Sequence, residues 1–417
     1  MAIVFALGAE RALAAHNALL HISPWLSLLV APAGFAAMSW LSRRFFRGTQ
    51  GSGIPQAIAA SHSDDPGVRV RFLSLRIAFA KIALTLGGLL CGASIGREGP
   101  SVQVGAAVMH SLADRRLGRI ASSHNLIVAG AAAGLAAAFN TPLAGIMFAI
   151  EEMCRDHAFR ANSTTLTAVI FAGLMSLSML GNYTYFGRTL TALGWPGALW
   201  PTLACGVVGG FLGGAFCRLL IASSRGLPGR LGHFALDRPV AFAALCGLGT
   251  ALVGLATGGL TSGTGYAESK AALEGIAPLP GYFFAAKMLV IWLAFASGIP
   301  GGLFAPALAV GAGVGAVLSH FLPAGPVAPL LVLGMVAFLS AMTQAPITSF
   351  VIVMEMTANH ELLMPLMATS LIAHGISRSV SPLPLYDALA AAMLRRATAE
   401  AFSVPALRDD RQPLPGQ

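Results

Sequence analysis

Three glycine-rich loops carry the residues best placed to do chemistry. They are Gly51-Ser52-Gly53-Ile54-Pro55-Gln56, Gly96-Arg97-Glu98-Gly99-Pro100, and Gly298-Ile299-Pro300-Gly301-Gly302-Leu303-Phe304-Ala305-Pro306. Each runs into a short apolar stretch. Glycine lets a backbone amide turn toward a ligand without steric conflict. A helix start offers free N–H groups and about half a positive charge, which suits an anion. Proline in the first helical turn is a start signal, because the N–H it lacks would be unpaired there. Pro55, Pro100, Pro142, Pro306 and Pro346 fit that role. Any one Gly-Pro pair reads equally well as a kink in a packed membrane helix. Three Gly-rich loops, each before a short apolar helix, weigh toward an anion site.

Ionisable residues stand beside these loops. Glu98 lies within the second loop. An acid at membrane depth is a functional candidate by default, and the plainer reading is a carboxylate favourable to a helix dipole. Glu151 and Glu152 end the stretch after Pro142. The plain reading of Glu152 is a helix-end acid paired with Arg155 three residues on. Lys81 sits in the apolar run Phe79 to Leu89. A buried lysine needs a partner or loses its charge, so a structural or electrostatic support role is expected.

The elements that position these residues are membrane helices. Of 417 residues, 56% are hydrophobic and 10% charged, against roughly 25% charged in soluble domains. Mean hydropathy is +0.73. Ser23 to Leu41, Leu166 to Leu180, Trp200 to Cys217 and Val327 to Met342 are long enough to span a bilayer, or nearly so, at about 20 residues per crossing. Other pieces are short: Ile54 to Ser61, Pro100 to Leu112, Pro142 to Met153, Pro306 to Phe321 and Pro346 to Met356. A helix of about 12 residues rises only about 18 Å and must end inside the bilayer. Such ends survive only buried in protein or lining a polar cavity.

The chain repeats itself. Gly130, Pro142 and Glu151 align with Gly334, Pro346 and Glu355 at an offset of 204 (334 − 130). Pro100 and Gly105 align with Pro306 and Gly311 at 206 (306 − 100). In an apolar chain this points to a transporter of two membrane halves with its site where they meet. The halves are expected at about 1–185 and 190–400, joined by the turn-rich stretch around Gly181-Asn182-Tyr183 and Gly194-Trp195-Pro196. A polar, disordered tail is expected over 401–417. Met1 is already apolar with no charged segment before it, so no cleaved signal peptide and no appended soluble domain are expected.

The net charge of +9 would suggest nucleic acid in a soluble protein. Here the arginines stand between apolar runs: Arg43, Arg44, Arg47; Arg115, Arg116, Arg119; Arg155, Arg160; Arg225, Arg230; Arg395, Arg396. That pattern sets membrane orientation, and no nucleic-acid partner is expected. Five scattered cysteines form no CxxC or disulfide framework. The histidines have no metal-ligand spacing. No cofactor is expected. A nucleotide fingerprint needs a strand–turn–helix context, which these surroundings do not offer. A membrane enzyme would need a nucleophile–base pair or metal set, and no apolar segment supplies one.

Gly51-Ser52-Gly53-Ile54-Pro55, Gly96-Arg97-Glu98-Gly99-Pro100 and Gly302-Leu303-Phe304-Ala305-Pro306 resemble the three signature motifs of the CLC family of chloride channels and proton/chloride antiporters. The likeness continues through Ala138 to Gly145, Glu151-Glu152-Met153, Glu355-Met356-Thr357 and Pro384-Leu385-Tyr386. It covers about residues 10–395 and is closest to prokaryotic members without CBS domains. It implies an all-α membrane protein of two inverted repeats of short, tilted helices. It implies a homodimer in a lipid bilayer, with one anion path per subunit, in a bacterial cell membrane.

By the same resemblance, the Ser52 and Tyr386 hydroxyls and the Leu303 and Phe304 amides hold a central chloride. Amides around Arg97, Glu98 and Gly99 form an outer site, and the Gly51-Ser52 backbone an inner one. Glu98 gates the path and carries protons, and Glu152 is the inner proton acid. Tyr386 taken alone also suits an interfacial aromatic anchor. Ser52 suits a helix N-cap. Exchange of chloride for protons is the leading expectation, with a passive chloride channel of the same fold as the alternative. By analogy with the family, Ser52 favours chloride over nitrate, and the Ser52–Tyr386 pair argues against the fluoride-exporting branch. Two departures stand out. Gln56 replaces a common Glu, and the first membrane helix is expected to be shortened to about Met1–Leu20, without the family's first cytoplasmic helix.

Overall fold

The computed structural model describes residues 2–112, 122–155, 163–181, 184–187, 193–194, 196–322 and 326–403. Arg115, Arg116, Arg119 and Arg160, the join residues Asn182, Tyr183 and Trp195, and the polar stretch 404–417 lie outside them. Among the described residues the chain is helical. Its only ladder contacts are two isolated bridges, Gly51 to Pro300 and Gly96 to Gly302. This is what a bilayer permits, since a helix pairs its own backbone and an open strand edge does not.

Among the described residues, five helices are long and apolar enough to cross a membrane: Ile3–Ile22, Pro24–Arg44, Pro66–Leu90, Leu199–Arg225 and Pro239–Ala256. Pro66–Leu90 breaks at Ser74. Its extended backbone ends the first piece, and its hydroxyl accepts from the Ile77 amide to start the second. Ser163–Leu180 and Val327–Thr343 come out at 18 and 17 residues. The first helix runs Ala2–Ile22, two residues beyond its expected end.

The short pieces are real, but two of their starts differ from expectation. The helices Glu98–Leu112 and Phe304–Leu318 begin two residues before Pro100 and Pro306. No amide in the first helical turn has an intrahelical partner, so proline is tolerated anywhere in it. The consequence is chemical. Residues 98 and 99, and 304 and 305, keep free amides ahead of the ring. The stretch Pro142–Met153 also divides, into an α-helix over Pro142–Phe148 and a π-turn over Ala149–Met153. Such turns concentrate at functional sites.

The repeat survives in three dimensions. Glu98–Leu112 crosses Ser123–Phe139 where Gly105 meets Gly130, and Phe304–Leu318 crosses Val327–Thr343 where Gly311 meets Gly334. The approach is backbone on backbone. A Cβ on Gly105 would lie 2.1 Å from the Gly130 carbonyl oxygen, and one on Gly334 would lie 2.2 Å from that of Gly311. Small residues at crossings are how membrane helices pack closely. Both second helices end in a left-handed residue, Asn140 (φ 57°) and Gln344 (φ 60°), and a proline-led short helix follows each.

Two basic helix ends meet Arg396 of the last helix, Leu385–Ser403: its guanidinium donates to the Ser224 carbonyl at 2.8 Å, beside Arg225, and Arg43 lies within electrostatic reach of it.

The glycine crossings give a direct test. Gly334→Leu should leave no monodisperse folded protein on size-exclusion in detergent, since backbone there cannot move aside. Gly375→Leu, at a helical glycine with nothing near its Cβ position, should behave as wild type. A well-folded Gly334→Leu protein would contradict the packing.

Candidate functional site

The three loops meet. The Gly301 amide donates to the Gly51 carbonyl at 3.1 Å. Gly96 and Gly302 exchange both backbone bonds, at 2.8 and 2.7 Å. A Cβ on Gly53 would lie 2.4 Å from the Gly99 oxygen, and one on Gly99 would lie 2.4 Å from the Ser52 hydroxyl oxygen. Residues from positions 51, 96 and 302 thus share one small volume, and only glycine lets the backbones approach so closely.

Internal supports hold the first loop. Lys81 is fully buried, and its ammonium donates to the Thr49 carbonyl at 2.7 Å and the Gly51 carbonyl at 2.5 Å. Gln56 accepts from the Gly53 amide at 3.0 Å and donates to the Gln50 and Gly48 carbonyls at 2.5 and 3.3 Å. A glutamate here could accept but, ionised, could not donate, which gives the amide at this position a physical reason. Lys287 repeats the Lys81 arrangement 206 residues on (287 − 81). It donates to Thr261 and Gly263, each at 2.9 Å. Sequence reading flagged Lys81 and overlooked its twin, which the repeat offset alone would have found.

Glu98 is completely buried, and its side chain folds back into the crossing. One carboxylate oxygen lies 3.2 Å from where a Cβ on Gly302 would stand. The amides of Glu98, Ala305 and Arg97 are its nearest donors, yet none closes a bond of good geometry, and both oxygens lack a direct partner. Ala305 was not among the expected residues. It is the repeat counterpart of Gly99 (305 − 99 = 206), and the early helix start frees its amide. Arg97 reaches outward, with Nη1 3.9 Å from Glu10 and Nη2 3.5 Å from the Ala138 carbonyl.

Tyr386 is buried, not interfacial. Its ring stacks on Phe304 with centroids 5.9 Å apart and planes 9° from parallel. Its hydroxyl is close enough to the Ser52 hydroxyl to interact, but neither oxygen makes a direct hydrogen bond. Ser52 is not the N-cap of Ile54–Ser61; Gly53 is. Two buried, unpaired hydroxyls facing one place are costly unless a ligand uses them. Leu303 and Phe304 stand at the start of the neighbouring helix. The site therefore brings together Gly51, Ser52, Arg97, Glu98, Gly99, Leu303, Phe304 and Tyr386, all neutral dipoles or hydroxyls apart from Glu98 and the outward Arg97.

Glu152 lies apart from these loops, fully buried in the π-turn, with neither oxygen in a hydrogen bond. Arg155 Nη2 stands 3.9 Å from it, and Arg155 Nε pairs with Asp387 at 3.4 Å. Tyr386, next to Asp387, is within electrostatic reach of both Glu152 and Glu98. Glu151 does something else. Its carboxylate accepts from the Ile347 and Thr348 amides at 3.0 and 2.6 Å, at the start of Pro346–Thr357. Glu355 returns the favour, accepting from the Leu143 and Ala144 amides at 3.1 and 2.8 Å. Each half closes the open helix start of the other. Adjacent residues of a helical turn point about 100° apart, so Glu151 and Glu152 serve different places.

Fold and site together define an inverted-repeat membrane transport protein whose three glycine-rich loops meet at one buried crossing. Residues 34–378 match the voltage gated chloride channel family, and the chain belongs to it. A protein of Citrobacter koseri named H(+)/Cl(-) exchange transporter ClcA is 34% identical over 402 residues, covering 90% of this chain and 79% of that one. A ClcA of Yersinia pestis is 35% identical, covering 89% and 78%. The crystal structure of a slow cyanobacterial Cl−/H+ antiporter superposes with a TM-score of 0.79 at 25% identity, covering 95% of each chain. A fluoride/proton antiporter of CLC type shares the fold at a TM-score of 0.72 and 24% identity, covering 92% of this chain and 95% of that one.

Removing the Lys81 brace would strand two carbonyls. Lys81→Met should cost about 3 kcal/mol of stability, read as a lower unfolding temperature in detergent, and Lys287→Met should cost a similar amount. Unchanged unfolding in both would show that the lysines are not braces.

Proposed function

We propose that this protein exchanges chloride for protons across a bacterial cell membrane. The observation that carries the reading is Glu98, a buried acid lying among the free amides of the loop crossing. Its carboxylate stands where a chloride ion would otherwise take the same N–H donors. Charged, it occupies the cradle. Protonated, it loses its claim on those amides and swings aside, so a proton taken up and an anion admitted become one event.

Chloride binds centrally between the Ser52 and Tyr386 hydroxyls and the amides of Leu303, Phe304 and Ala305. The amides of Arg97, Glu98 and Gly99 serve an outer position, and the Gly51-Ser52 backbone an inner one. Neutral donors suit transport, since a transported ion must leave as well as bind. Glu152 supplies protons from the basic face, which the excess of arginine places toward the cytoplasm. Tyr386 lies within electrostatic reach of both acids, and on this reading the proton route passes it without a direct hydrogen bond to either. The second half has Phe304 and Met356 opposite Glu98 and Glu152, so the proton route is single. The names of the relatives support exchange over passive conduction. The protein works as a homodimer in the lipid bilayer, with no enzymatic step and no resident cofactor.

In liposomes, an imposed chloride gradient should drive protons uphill with no other energy source. Reversal potentials that followed chloride alone at every pH would instead make the protein a channel. Glu98→Ala should abolish proton pumping while chloride flux persists. Glu152→Ala should also uncouple protons; coupling retained in it would remove Glu152 from the route.

A further inference from the structure

A second polar cavity opens beside the proton acid, apart from the loop crossing. It has a volume of about 490 Å³ and is lined by Glu151, Arg155, Gln344, His374 and Arg378 among others. Two guanidinium groups and an imidazole border it, and His374 lies within electrostatic reach of both arginines. Glu151 lines the same cavity, and Asp387 pairs with Arg155, so Arg378 is the cation there with no carboxylate within ion-pair distance among the described residues.

The nearby acids are already committed. Both oxygens of Glu151 are held by the Ile347 and Thr348 amides. Asp387 and Glu152 face Arg155. Arg155 spends Nε on Asp387 and the Glu151 carbonyl, and Nη2 on the Gln344 carbonyl at 3.0 Å. Its Nη1 makes no hydrogen bond among the described residues. Arg378 is exposed and makes no ion pair among them. His374 also lines the cavity, though its partnerless Nδ1 is shielded. Two guanidinium groups thus border one cavity with bonding capacity to spare, with an imidazole beside them.

We propose that this cavity binds a phosphate-type oxyanion, held by Arg378, His374 and the free edge of Arg155. Guanidinium pairs with such oxygens in two parallel bonds, which a simple halide cannot reproduce. The ligand is a free phosphate group or the phosphate of an anionic lipid headgroup, since the cavity lies at the basic end of membrane helices. A ligand drawn to Arg155 loosens its hold on Glu152 and Asp387, so occupancy slows proton delivery. That regulatory consequence rests on the exchange reading, whereas the binding does not.

The experiment uses the full chain in detergent, with chloride saturating and ionic strength held constant with gluconate. Inorganic phosphate should raise the unfolding temperature saturably, as a ligand of the folded state does. Arg378→Gln should shift the midpoint about tenfold to higher phosphate, the effect of one lost charge-assisted contact. His374→Leu should shift it in the same direction. If a lipid is the source, protein extracted from cardiolipin-containing membranes should keep cardiolipin in native mass spectrometry, phosphate should displace it, and Arg378→Gln should lack it. Saturable phosphate binding without retained lipid assigns the site to a free anion. If wild type shows neither effect, or Arg378→Gln and His374→Leu match wild type in both, the site is overturned. In liposomes, phosphate on the Arg378 side should slow proton-coupled flux in wild type and spare Arg378→Gln. Binding without that slowing would overturn the regulatory role alone.

Discussion

The whole arrangement depends on one constraint: a backbone amide at membrane depth must find a partner. Water cannot supply it, and lipid offers nothing. The short helices of this chain begin inside the protein and so present open amides there. The fold meets the need in two ways. At Leu143–Ala144 and Ile347–Thr348, permanent carboxylates fill the gap. At residues 98–99 and 304–305 no carboxylate closes a bond of good geometry with the amides, and in the proposed exchange they serve a mobile partner, either the Glu98 carboxylate or an anion. On that proposal the first pair of helix starts makes structure, and the second makes a transport site.

Seen this way, the glycines and the buried lysines do related jobs. Gly96, Gly99 and Gly302 bring three backbones within bonding distance, which any side chain would prevent. Lys81 holds the Thr49 and Gly51 carbonyls of the first loop, which on the proposed function keeps electron-rich oxygens away from the anion, and Lys287 holds Thr261 and Gly263 in the same way outside the three loops. A cation placed directly in the cradle would bind an anion harder and release it more slowly. Kept behind the loop, it shapes the site through backbone geometry.

Much of this was legible in the sequence because the punctuation is loud. Gly-Pro loops, the short apolar pieces and the offsets of 204 and 206 pointed to two repeated halves and located the loops, and the family resemblance implied their inversion. Other features were hidden because they depend on contacts between distant residues. Nothing in the sequence around Glu355 says that it closes the helix at Leu143, 212 residues away. The helix starts at Glu98 and Phe304 were misplaced by two residues because proline marks a first turn, not its first residue. That small shift concealed the role of Ala305. The π-turn at Ala149–Met153 has no period of its own to read.

The mutual closure by Glu151 and Glu355 bears on how the chain is made. A ribosome delivers the first half well before the second. Until Glu355 emerges, the amides at Leu143 and Ala144 have no carboxylate, and Glu151 has no helix start to occupy. The newborn first half must therefore wait in the membrane with a polar end unsatisfied, sheltered by water or by the insertion machinery. Its final packing is an act of the completed chain, and a first half made alone would have no resting state of its own.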